Sequence, residues 1–292
     1  MDLSVVIVNF NTRDPLRDCL ASLRPELAGM DAEVMVVDNA STDGSVAMLA
    51  EEFAEAKVLI NPANVGFGRA NNRALRQAQG RDVLLLNPDT LVRRGAVRTL
   101  MGALHALPGA VAVGPRVLRP DGRLDLACRR SFPSPGVAAA RLLGLSRLFP
   151  GSPRLARYNL THQDPDQPGE IDAGTAAALC LSLEPLAAVG FFDEDFFMYG
   201  EDLDLCYRLK QRGGRIYYVP SATVLHLKGM ASGRQATAML REFHRSMWLF
   251  YKKHYFHGWR AALAPLVWLG IQLRHGMVLG WNLVRGRQVV SP

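Results

Sequence analysis

The hydrophobic pattern at the start of the chain alternates between short apolar runs and segments of helical spacing. The runs LSVVIVNF, EVMVVDN, VLIN and DVLLLNPD predict four buried strands. Helices are predicted for DPLRDCLASLRPEL, for a segment capped by Ser41 or Asp43 that runs through Phe53, and for FGRANNRALRQAQG. This repeated strand–helix winding predicts an α/β fold with a mostly parallel central sheet and helices on both faces.

Polar side chains follow the predicted strands. These residues are Asn9 and Asn11, Asp38 and Asn39, and Asn87 and Asp89. Sheets of this kind bind ligands at the carboxyl ends of their strands, so we expect a ligand site at this edge. Neither GxGxxG nor GxxxxGK[ST] occurs, which argues against a dinucleotide-dependent dehydrogenase and a P-loop enzyme.

The pattern loosens over residues 131–170, where six prolines surround a weak apolar helix near residues 137–148. This excursion either covers a substrate or is a tolerated loop. Regular structure returns with EIDAGTAAALCLSLEPL, which predicts a strand and then a short helix. RIYYVPSATVLHL predicts a strand pair broken at Pro220.

Residues 191–208, FFDEDFFMYGEDLDLCYR, place six carboxylates among bulky apolar side chains. The apolar residues are expected to pack against the body of the protein, so the acids among them predict an active-site rim. Gly200 precedes a predicted helix, EDLDLCYRLKQRG, with Glu201 and Asp202 in its first turn. The alternative is that these acids only complement the helix dipole. Arg208 is predicted to pair with Asp204, one turn earlier.

The composition is that of an ordinary globular protein: 292 residues, 49% of them hydrophobic. This length suits one large domain, or one domain and an appendage. Cys19, Cys128, Cys180 and Cys206 are scattered, which favours reduced thiols and a cytosolic location. No secretory signal is recognised at the start of the chain.

The basic charge is concentrated in the tail. From Lys228 onwards ten Lys or Arg accompany one acid, Glu242, whereas the preceding residues carry 24 basic and 26 acidic residues. This distribution argues against a general nucleic-acid-binding surface and favours local contact with an anionic membrane.

The tail predicts a long helix over RQATAMLREFHRSMWLFYKKHY and a second helix kinked or started near Pro265. The second apolar run stops at Gln272 and Arg274, too short to span a membrane. One sector of the second helix is polar, comprising Arg260, Arg274, His275, Asn282 and Arg285, and the apolar residues lie elsewhere: Trp259, Leu263, Leu266, Leu269, Leu273 and Trp281. This predicts an in-plane interfacial helix. The alternative is that its apolar residues pack on the protein or on a second subunit.

Several motifs in order carry a resemblance over residues 3–228. SVVIVNFNT, VVDNASTDGS, NVGFGRANN, LLLNPDT, GFFDEDFFMYGEDLDLCYRL and VPSATVLHLKG resemble the inverting family 2 glycosyltransferases, especially their rhamnosyltransferase-like branch. The resemblance implies an A-type glycosyltransferase fold with a nucleotide-binding half, about 1–115, an acceptor half, about 116–228, and a helical tail, 229–292. It also implies a nucleoside-diphosphate sugar donor and Mg²⁺ or Mn²⁺.

The resemblance also implies roles for individual residues. Asp202 matches the catalytic base, and Glu201 and Asp204 match positions that orient the base or bind the acceptor. Asp38 matches a residue that accepts a hydrogen bond from a pyrimidine base; its alternative role is helix capping. Nucleotide-sugar contacts are implied for Asn9, Asn11, Asn39, Asn64, Gly66, Asn71 and Asn87.

Asp89 matches the metal-binding acid, and His226 matches a position that completes the coordination. A nucleoside diphosphate leaves only when its developing charge is neutralised, which a divalent ion can do. Asn87 departs from the family's acidic pattern, and a lone His at a strand end is often structural.

The predicted function is inverting transfer of a sugar such as rhamnose from a dTDP- or UDP-linked donor to a lipid-linked or polysaccharide acceptor. The enzyme is expected on the cytoplasmic face of the membrane, held peripherally by its tail, with a homodimer as an open alternative. Two other functions stay open: a catalytically silent sugar-nucleotide-binding or scaffold protein, and a sugar-phosphate nucleotidyltransferase. The latter should carry a Gly-rich, basic triphosphate loop, which this sequence lacks.

Overall fold

The computed structural model describes residues 1–227 and 236–285. Its first part has the predicted alternation of strands and helices: β1 (Leu3–Asn9), α1 (Arg13–Leu23), β2 (Ala32–Asp38), α2 (Ser45–Glu52), β3 (Lys57–Ile60), α3 (Phe67–Leu75) and β4 (Asp82–Leu86). All seven residues of β1 and all five of β4 are buried, because these strands are central and have both faces covered.

The second part contains shorter strands and more irregular structure. Its strands are β5 (Thr90–Val92), β6 (Ala110–Leu118), β7 (Gly169–Ile171), β8 (Ala178–Ser182) and β9 (Arg215–His226). Its α-helices are α4 (Ala96–Ala106), α5 (Pro135–Leu142), α6 (Leu145–Leu148), α7 (Leu183–Ala188) and α8 (Glu201–Gln211). Two short 3-10 helices span Leu126–Cys128 and Arg157–Asn159.

One sheet of nine strands runs through the described residues in the order β3-β2-β1-β4-β8-β6-β9-β5, with β7 on β9. The strands β3, β2, β1 and β4 pair in parallel, as does β6 with β9. The strands β8, β5 and β7 each pair antiparallel with their neighbours. The predicted α/β class with helices around a central sheet is therefore confirmed, and the sheet is mixed in its second half.

The predicted strand pair broken at Pro220 is wrong, because β9 is one continuous strand. Its parallel pairing with β6 shifts register between Val219, opposite Pro115, and Thr223, opposite Arg116. The residues between them form a bulge, and a bulge tolerates a proline that cannot donate to the ladder.

The helix predicted to end at Gly80 ends earlier, at Leu75. Gly80 lies against β1, where its N–H donates to Ser4 Oγ at 2.8 Å. A Cβ atom on Gly80 would lie 2.3 Å from the Ser4 backbone nitrogen, so the chain must leave the helix before this contact.

The tail forms α9 (Ala236–His254), a 3-10 helix (Gly258–Leu263) and α10 (Ala264–Arg285). Helix α9 packs on the sheet-containing part through Phe250 and Tyr251, which are buried. The predictions for Lys228 and for the side chain of Arg285 lie outside the described residues.

Helix α10 turns part of its polar sector towards the protein. Ile271 and Val278 are buried, and the side chain of Arg274 reaches inward to His244 on α9. The exposed large side chains are apolar: Leu266, Trp268, Leu269, Leu273, Met277, Trp281, Leu283 and Val284. The predicted polar sector thus packs in part against the protein, and the apolar sector faces outward.

The segment Gly258–Val284 is also longer than predicted. Within its 27 residues, the most apolar stretch of 18 residues has a mean hydropathy of 1.3, and 11% of that stretch is buried. By length and composition alone it is sufficient to cross a membrane, which corrects the expectation that this apolar run is too short.

Candidate active site

The predicted metal-binding residues come together at the junction of β4, β5 and β9. The antiparallel pairing of β5 with β9 places Thr90 opposite His226. As a result His226 Nε2 lies 3.1 Å from Asp89 Oδ1 and 3.4 Å from Asn87 Nδ2. Asp89 and His226 are almost completely buried.

Asp125, which the sequence analysis did not select, faces the other nitrogen of the same imidazole. Its Oδ2 lies 3.7 Å from His226 Nδ1, a buried atom without a hydrogen-bond partner in the described structure. Burial acts to lower the pKa of His226, but the two neighbouring carboxylates, Asp125 and Asp89, outweigh it and raise the pKa to about 9.

This arrangement fits a divalent cation that is shared with a substrate. Within residues 1–227 and 236–285, no group of three His, Cys, Asp or Glu side chains is arranged to hold a metal. Asp89 and His226 would supply two ligands, and Mg²⁺ commonly takes one or two carboxylates together with substrate phosphates. A metal-ligating His usually donates its other N–H to a carboxylate, as Asp125 is placed to accept.

The carboxyl ends of β1 and β2 are joined through side chains. Asn9 Nδ2 donates to Asp38 Oδ2 at 2.8 Å, and Ser41 N donates to Asp38 Oδ1 at 2.9 Å. Asn11 accepts from Thr42 N at 2.8 Å. Asp38 is 1% exposed, so it organises this turn, and its contact with a nucleobase stays a prediction.

An amide network continues the same edge to the start of α3. Asn39 Nδ2 donates to Asn64 Oδ1 at 2.8 Å, and Gly66 N donates to the same oxygen at 3.0 Å. Asn71 is buried and donates to Phe67 O within α3, so its side chain is used inside the helix. The structure therefore brings Asn39, Asn64 and Gly66 together.

Gly66 is the point of contact between this edge and the acidic loop, residues 190–200. Its φ is +88°, and a Cβ atom there would lie 2.5 Å from Phe197 O. The neighbouring N–H of Phe67 donates to that same carbonyl at 2.8 Å. Only glycine combines this backbone conformation with so close an approach.

Three carboxylates of the acidic loop form ion pairs with neighbouring helices. Glu194 pairs with Arg69 and Arg76 of α3, and Lys253 of α9 pairs with Asp193 and Asp195. Another residue missed from the sequence, Asn72, donates to Phe192 O at 2.9 Å and accepts from Phe192 N. These three acids hold the loop in place through ion pairs. The predicted active-site rim is therefore formed by the acids of α8.

Asp202 lies in the first turn of α8 and is paired with a buried arginine. Arg130 Nη2 donates to Asp202 Oδ2 at 2.7 Å, and Asp202 Oδ1 accepts from Leu203 N at 2.8 Å. Burial acts to lower the pKa of Arg130, but the charge of Asp202 more than reverses this and raises it. The pair fixes the position of the Asp202 carboxylate and leaves its side chain 13% exposed.

Glu201 and Asp204, on either side, differ sharply from Asp202. Burial, helped by the charge of Asp202, raises the pKa of Glu201 to about 8, and Glu201 Oε2 has no hydrogen-bond partner among the described residues. Asp204 is fully buried between Arg208 Nε and His254 Nε2, each at 2.7 Å. The predicted pair of Arg208 with Asp204 is therefore present, and Asp204 is enclosed rather than open to an acceptor.

A single short segment connects the two parts of the site. Asp125 faces His226, and Arg130, five residues later, binds Asp202. Five residues span at most about 18 Å even when fully extended, and here a 3-10 helix shortens them. Arg130 was missed because it stands in an irregular stretch, CRRSFPSP, where no periodicity marks it.

The fold and this site define a glycosyltransferase, and comparisons with known proteins agree. The sequence model of glycosyl transferase family 2 matches residues 4–159, and the chain belongs to that family. The N-acetylglucosaminyl-diphospho-decaprenol L-rhamnosyltransferase of Mycobacterium tuberculosis is 32% identical over 98% of this chain and 95% of its own. The chain is thus a rhamnosyltransferase-like member of family 2, as the sequence predicted.

Solved structures show the same fold at low sequence identity. GalNAc-T7 with UDP, GalNAc and Mn²⁺ is similar over 100% of this chain and 59% of its own, with a TM-score of 0.60 and 17% identity. The mannosyltransferase PcManGT from Pyrobaculum calidifontis, in complex with GDP-Man and Mn²⁺, is similar over 98% of this chain and 76% of its own, with a TM-score of 0.59 and 18% identity. The A-type glycosyltransferase fold is therefore confirmed.

The pKa of Glu201 predicts a pH-dependent effect of Glu201→Gln. The folded protein keeps this proton up to about pH 8, whereas the unfolded chain loses it near the usual glutamate pKa of 4.5. Between these values wild-type stability falls as pH rises, by at most about 1.4 kcal/mol per pH unit for one proton. The free energy of unfolding of Glu201→Gln should therefore rise relative to wild type from pH 5 to pH 8, measured by chemical denaturation.

The control is Glu55→Gln. The pKa of this exposed carboxyl is lowered by a backbone hydrogen bond and by Arg24, so it is ionised in both states throughout this range. Its difference from wild type should be flat with pH. A flat difference for Glu201→Gln as well would show that Glu201 is not a buried neutral acid.

Proposed function

We propose that this chain transfers a rhamnose-type sugar from a nucleoside-diphosphate donor to a lipid-linked acceptor, with inversion at the transferred carbon. The observation that carries the proposal is the 32% identity, over nearly the full length of both chains, to a rhamnosyltransferase named for a diphospho-decaprenol acceptor. That extent of similarity includes the tail as well as the sheet-containing part, and it supports a role in cell-wall or polysaccharide biosynthesis.

Asp202 is the proposed catalytic base. Single displacement needs one carboxylate to accept the proton of the acceptor hydroxyl as that oxygen attacks the sugar. Arg130 binds one oxygen of Asp202, and Leu203 N donates to the other, so the carboxylate is held in place. Because Glu201 is neutral below about pH 8 and Asp204 is enclosed by two cations or donors, Asp202 is the acid of this turn with a lone pair to offer.

The donor is proposed to lie along the carboxyl ends of β1, β2 and β4. Asp89 and His226 would hold Mg²⁺ or Mn²⁺, which when bound neutralises charge on the departing diphosphate. The turn built by Asn9, Asp38 and Asn39 would receive the nucleoside. A pyrimidine nucleotide, dTDP or UDP, is proposed because its ring N–H can donate to Asp38.

The outward apolar face of α10 is proposed to contact the membrane peripherally on its cytoplasmic side. A surface of this size and polarity is uncommon on a protein that contacts only water. The inward side chains of α10, such as Arg274, are bonded to α9, so the helix lies on the protein and offers its other face to lipid. On this proposal, a lipid-linked acceptor would reach the acceptor site from the membrane surface beside α10.

Asp202→Asn should lower turnover by roughly 10²- to 10⁴-fold, because the amide cannot accept the hydroxyl proton. Affinity for the nucleoside diphosphate, measured by calorimetry, should stay within error of wild type. Asp195→Asn is the matched control, since Asp195 is exposed and pairs with Lys253, and it should keep its turnover. Wild-type turnover in Asp202→Asn would remove this residue from the role of base.

Asp89→Ala should weaken Mn²⁺-dependent binding of dTDP or UDP far more than binding of thymidine or uridine, because the ion contacts phosphate oxygens. His226→Ala should act in the same direction and more mildly. Titration calorimetry with and without Mn²⁺ measures both. Equal loss for nucleotide and nucleoside would indicate misfolding, and full activity in excess chelator would contradict a metal-assisted reaction.

The double variant Leu269→Gln/Leu273→Gln should bind vesicles at least about tenfold more weakly than wild type, because each buried leucine contributes about 1.5–3 kcal/mol. Ile60→Gln is the control, since Ile60 is exposed but lies on β3, far along the sheet from the tail. Sedimentation with phosphatidylglycerol vesicles measures the effect, and binding should decrease as salt rises. If the full-length chain does not bind vesicles but dimerises through these leucines, the apolar face of α10 contacts a second subunit and not the membrane.

A further inference from the structure

Positive charge accumulates where α5, α6, α9 and α10 meet. Arg141 lies on α5, Arg147 on α6 and Arg274 on α10. The helices α5 and α10 are in direct contact, because a Cβ atom on Gly270 would lie 3.1 Å from Leu142 Cδ2. Arg141 precedes Leu142, and Arg274 follows Gly270 by about one helical turn, so both arginines belong to this junction.

The contacts of the two half-buried arginines are neutral. Arg141 Nη1 donates to Asn159 Oδ1 at 3.0 Å, and its guanidinium lies 4.3 Å from the centre of the Tyr158 ring. Arg274 Nη1 lies 3.0 Å from His244 Nε2, and its guanidinium lies over Phe243. Across residues 1–227 and 236–285, no carboxylate is within ion-pairing distance of either arginine.

His244 does not neutralise Arg274, and its hydrogen bonds define its tautomer. Its Nδ1 lies 2.8 Å from Leu240 O, which can only accept, so Nδ1 carries the proton and Nε2 accepts from Arg274. Burial, helped by the charge of Arg274, lowers the pKa of His244 to about 4. The imidazole is therefore neutral, and the charge of Arg274 stays uncompensated.

The uncompensated charges affect one another. Burial lowers the pKa of Arg274 to about 10, and the charges of Arg141 and Arg147 contribute to this shift. Burial likewise lowers the pKa of Arg141. The arginines at the site itself behave differently, since Arg130 and Arg208 each have a carboxylate partner. Grouped cations that are partly desolvated and lack an acid are stabilised when an anion binds between them.

The junction is connected to the catalytic base and to the apolar surface. Arg141 lies over the ring of Tyr158, and the backbone oxygen of Tyr158 accepts from Ser131 N at 2.8 Å. Ser131 directly follows Arg130, the arginine that binds Asp202. On the outside, exposed apolar side chains flank the junction on both helices: Leu143, Leu148 and Phe149 after α5, and Leu266, Leu269 and Leu273 on α10.

We propose that Arg141 and Arg274 form a subsite for the phosphate groups of the lipid-linked acceptor, next to the base that receives its hydroxyl proton. Guanidinium groups bind phosphate oxygens in pairs, and two of them suit a diphosphate better than a single phosphate. The flanking apolar residues receive the first part of the lipid chain. This subsite rests on the proposed transfer to a lipid-linked acceptor and names the part of the acceptor that the protein binds.

Farnesyl diphosphate is the probe, with farnesol as its uncharged counterpart, and binding to the full-length protein is measured by calorimetry. Arg141→Gln and Arg274→Gln should each raise the Kd of farnesyl diphosphate roughly tenfold, and the double variant more, because each removes one charged partner of the phosphates. The Kd of farnesol should not change. Arg94→Gln, an exposed arginine at the start of α4, is the control and should leave both values unchanged. Thermal unfolding and dTDP or UDP affinity confirm that each variant is folded.

Phospholipid headgroups offer the same phosphate chemistry, so a second arm separates the two sources. Phosphatidylglycerol in vesicles should not displace farnesyl diphosphate, and both glutamine variants should still bind these vesicles. Displacement together with loss of vesicle binding would assign the arginines to the membrane surface and overturn the acceptor subsite. Unchanged farnesyl diphosphate affinity in the double variant would also overturn it. If the double variant transfers sugar normally, the subsite is wrong but the proposed function stands. If the wild-type protein binds farnesyl diphosphate but transfers no sugar, the proposed function is wrong and the subsite stands.

Discussion

Negative charge buried at the first turn of α8 is the constraint around which the second part of the chain is arranged. Glu201, Asp202 and Asp204 lie within four consecutive positions, and three ionised acids could not be desolvated so close together. The three side chains are accommodated in different ways. Glu201 is protonated, Asp202 pairs with Arg130, and Asp204 is bonded to Arg208 and His254. Of the three, Asp202 is the one left partly accessible, which suits its proposed role as the single base.

The same constraint couples distant parts of the chain to the site. Arg130 arrives from the segment that begins at Asp125, beside the candidate metal ligands, and His254 arrives from the tail helix α9. Lys253, next to His254, also holds the acidic loop through Asp193 and Asp195. The tail is therefore bonded to the loop and to α8, and α10 extends from this attachment with its apolar face outward.

Much of the first part of the fold, β1 to β4, can be predicted from the sequence because the pattern is local. Buried runs predict β1, β2 and β4, and the polar residues after them lie at one edge because parallel strands end together. The second part depends on long-range pairing: Asp89 meets His226 through the antiparallel β5–β9 contact, and Arg130 reaches Asp202 across 72 positions from an irregular loop. Helix α10 shows a further limit, since its spacing reveals which residues share a face but not which face the protein covers.

The most direct measurement follows the transferred sugar itself. The protein is supplied with Mn²⁺, a lipid-linked acceptor and a panel of nucleoside-diphosphate sugars that includes dTDP-rhamnose, and the product is examined by mass spectrometry and by NMR of its anomeric proton. We expect one nucleoside diphosphate released per glycoside formed, with an anomeric configuration opposite to that of the donor. Retention of configuration, or the absence of release with every donor and acceptor, would contradict an inverting glycosyltransferase that uses Asp202 as its base.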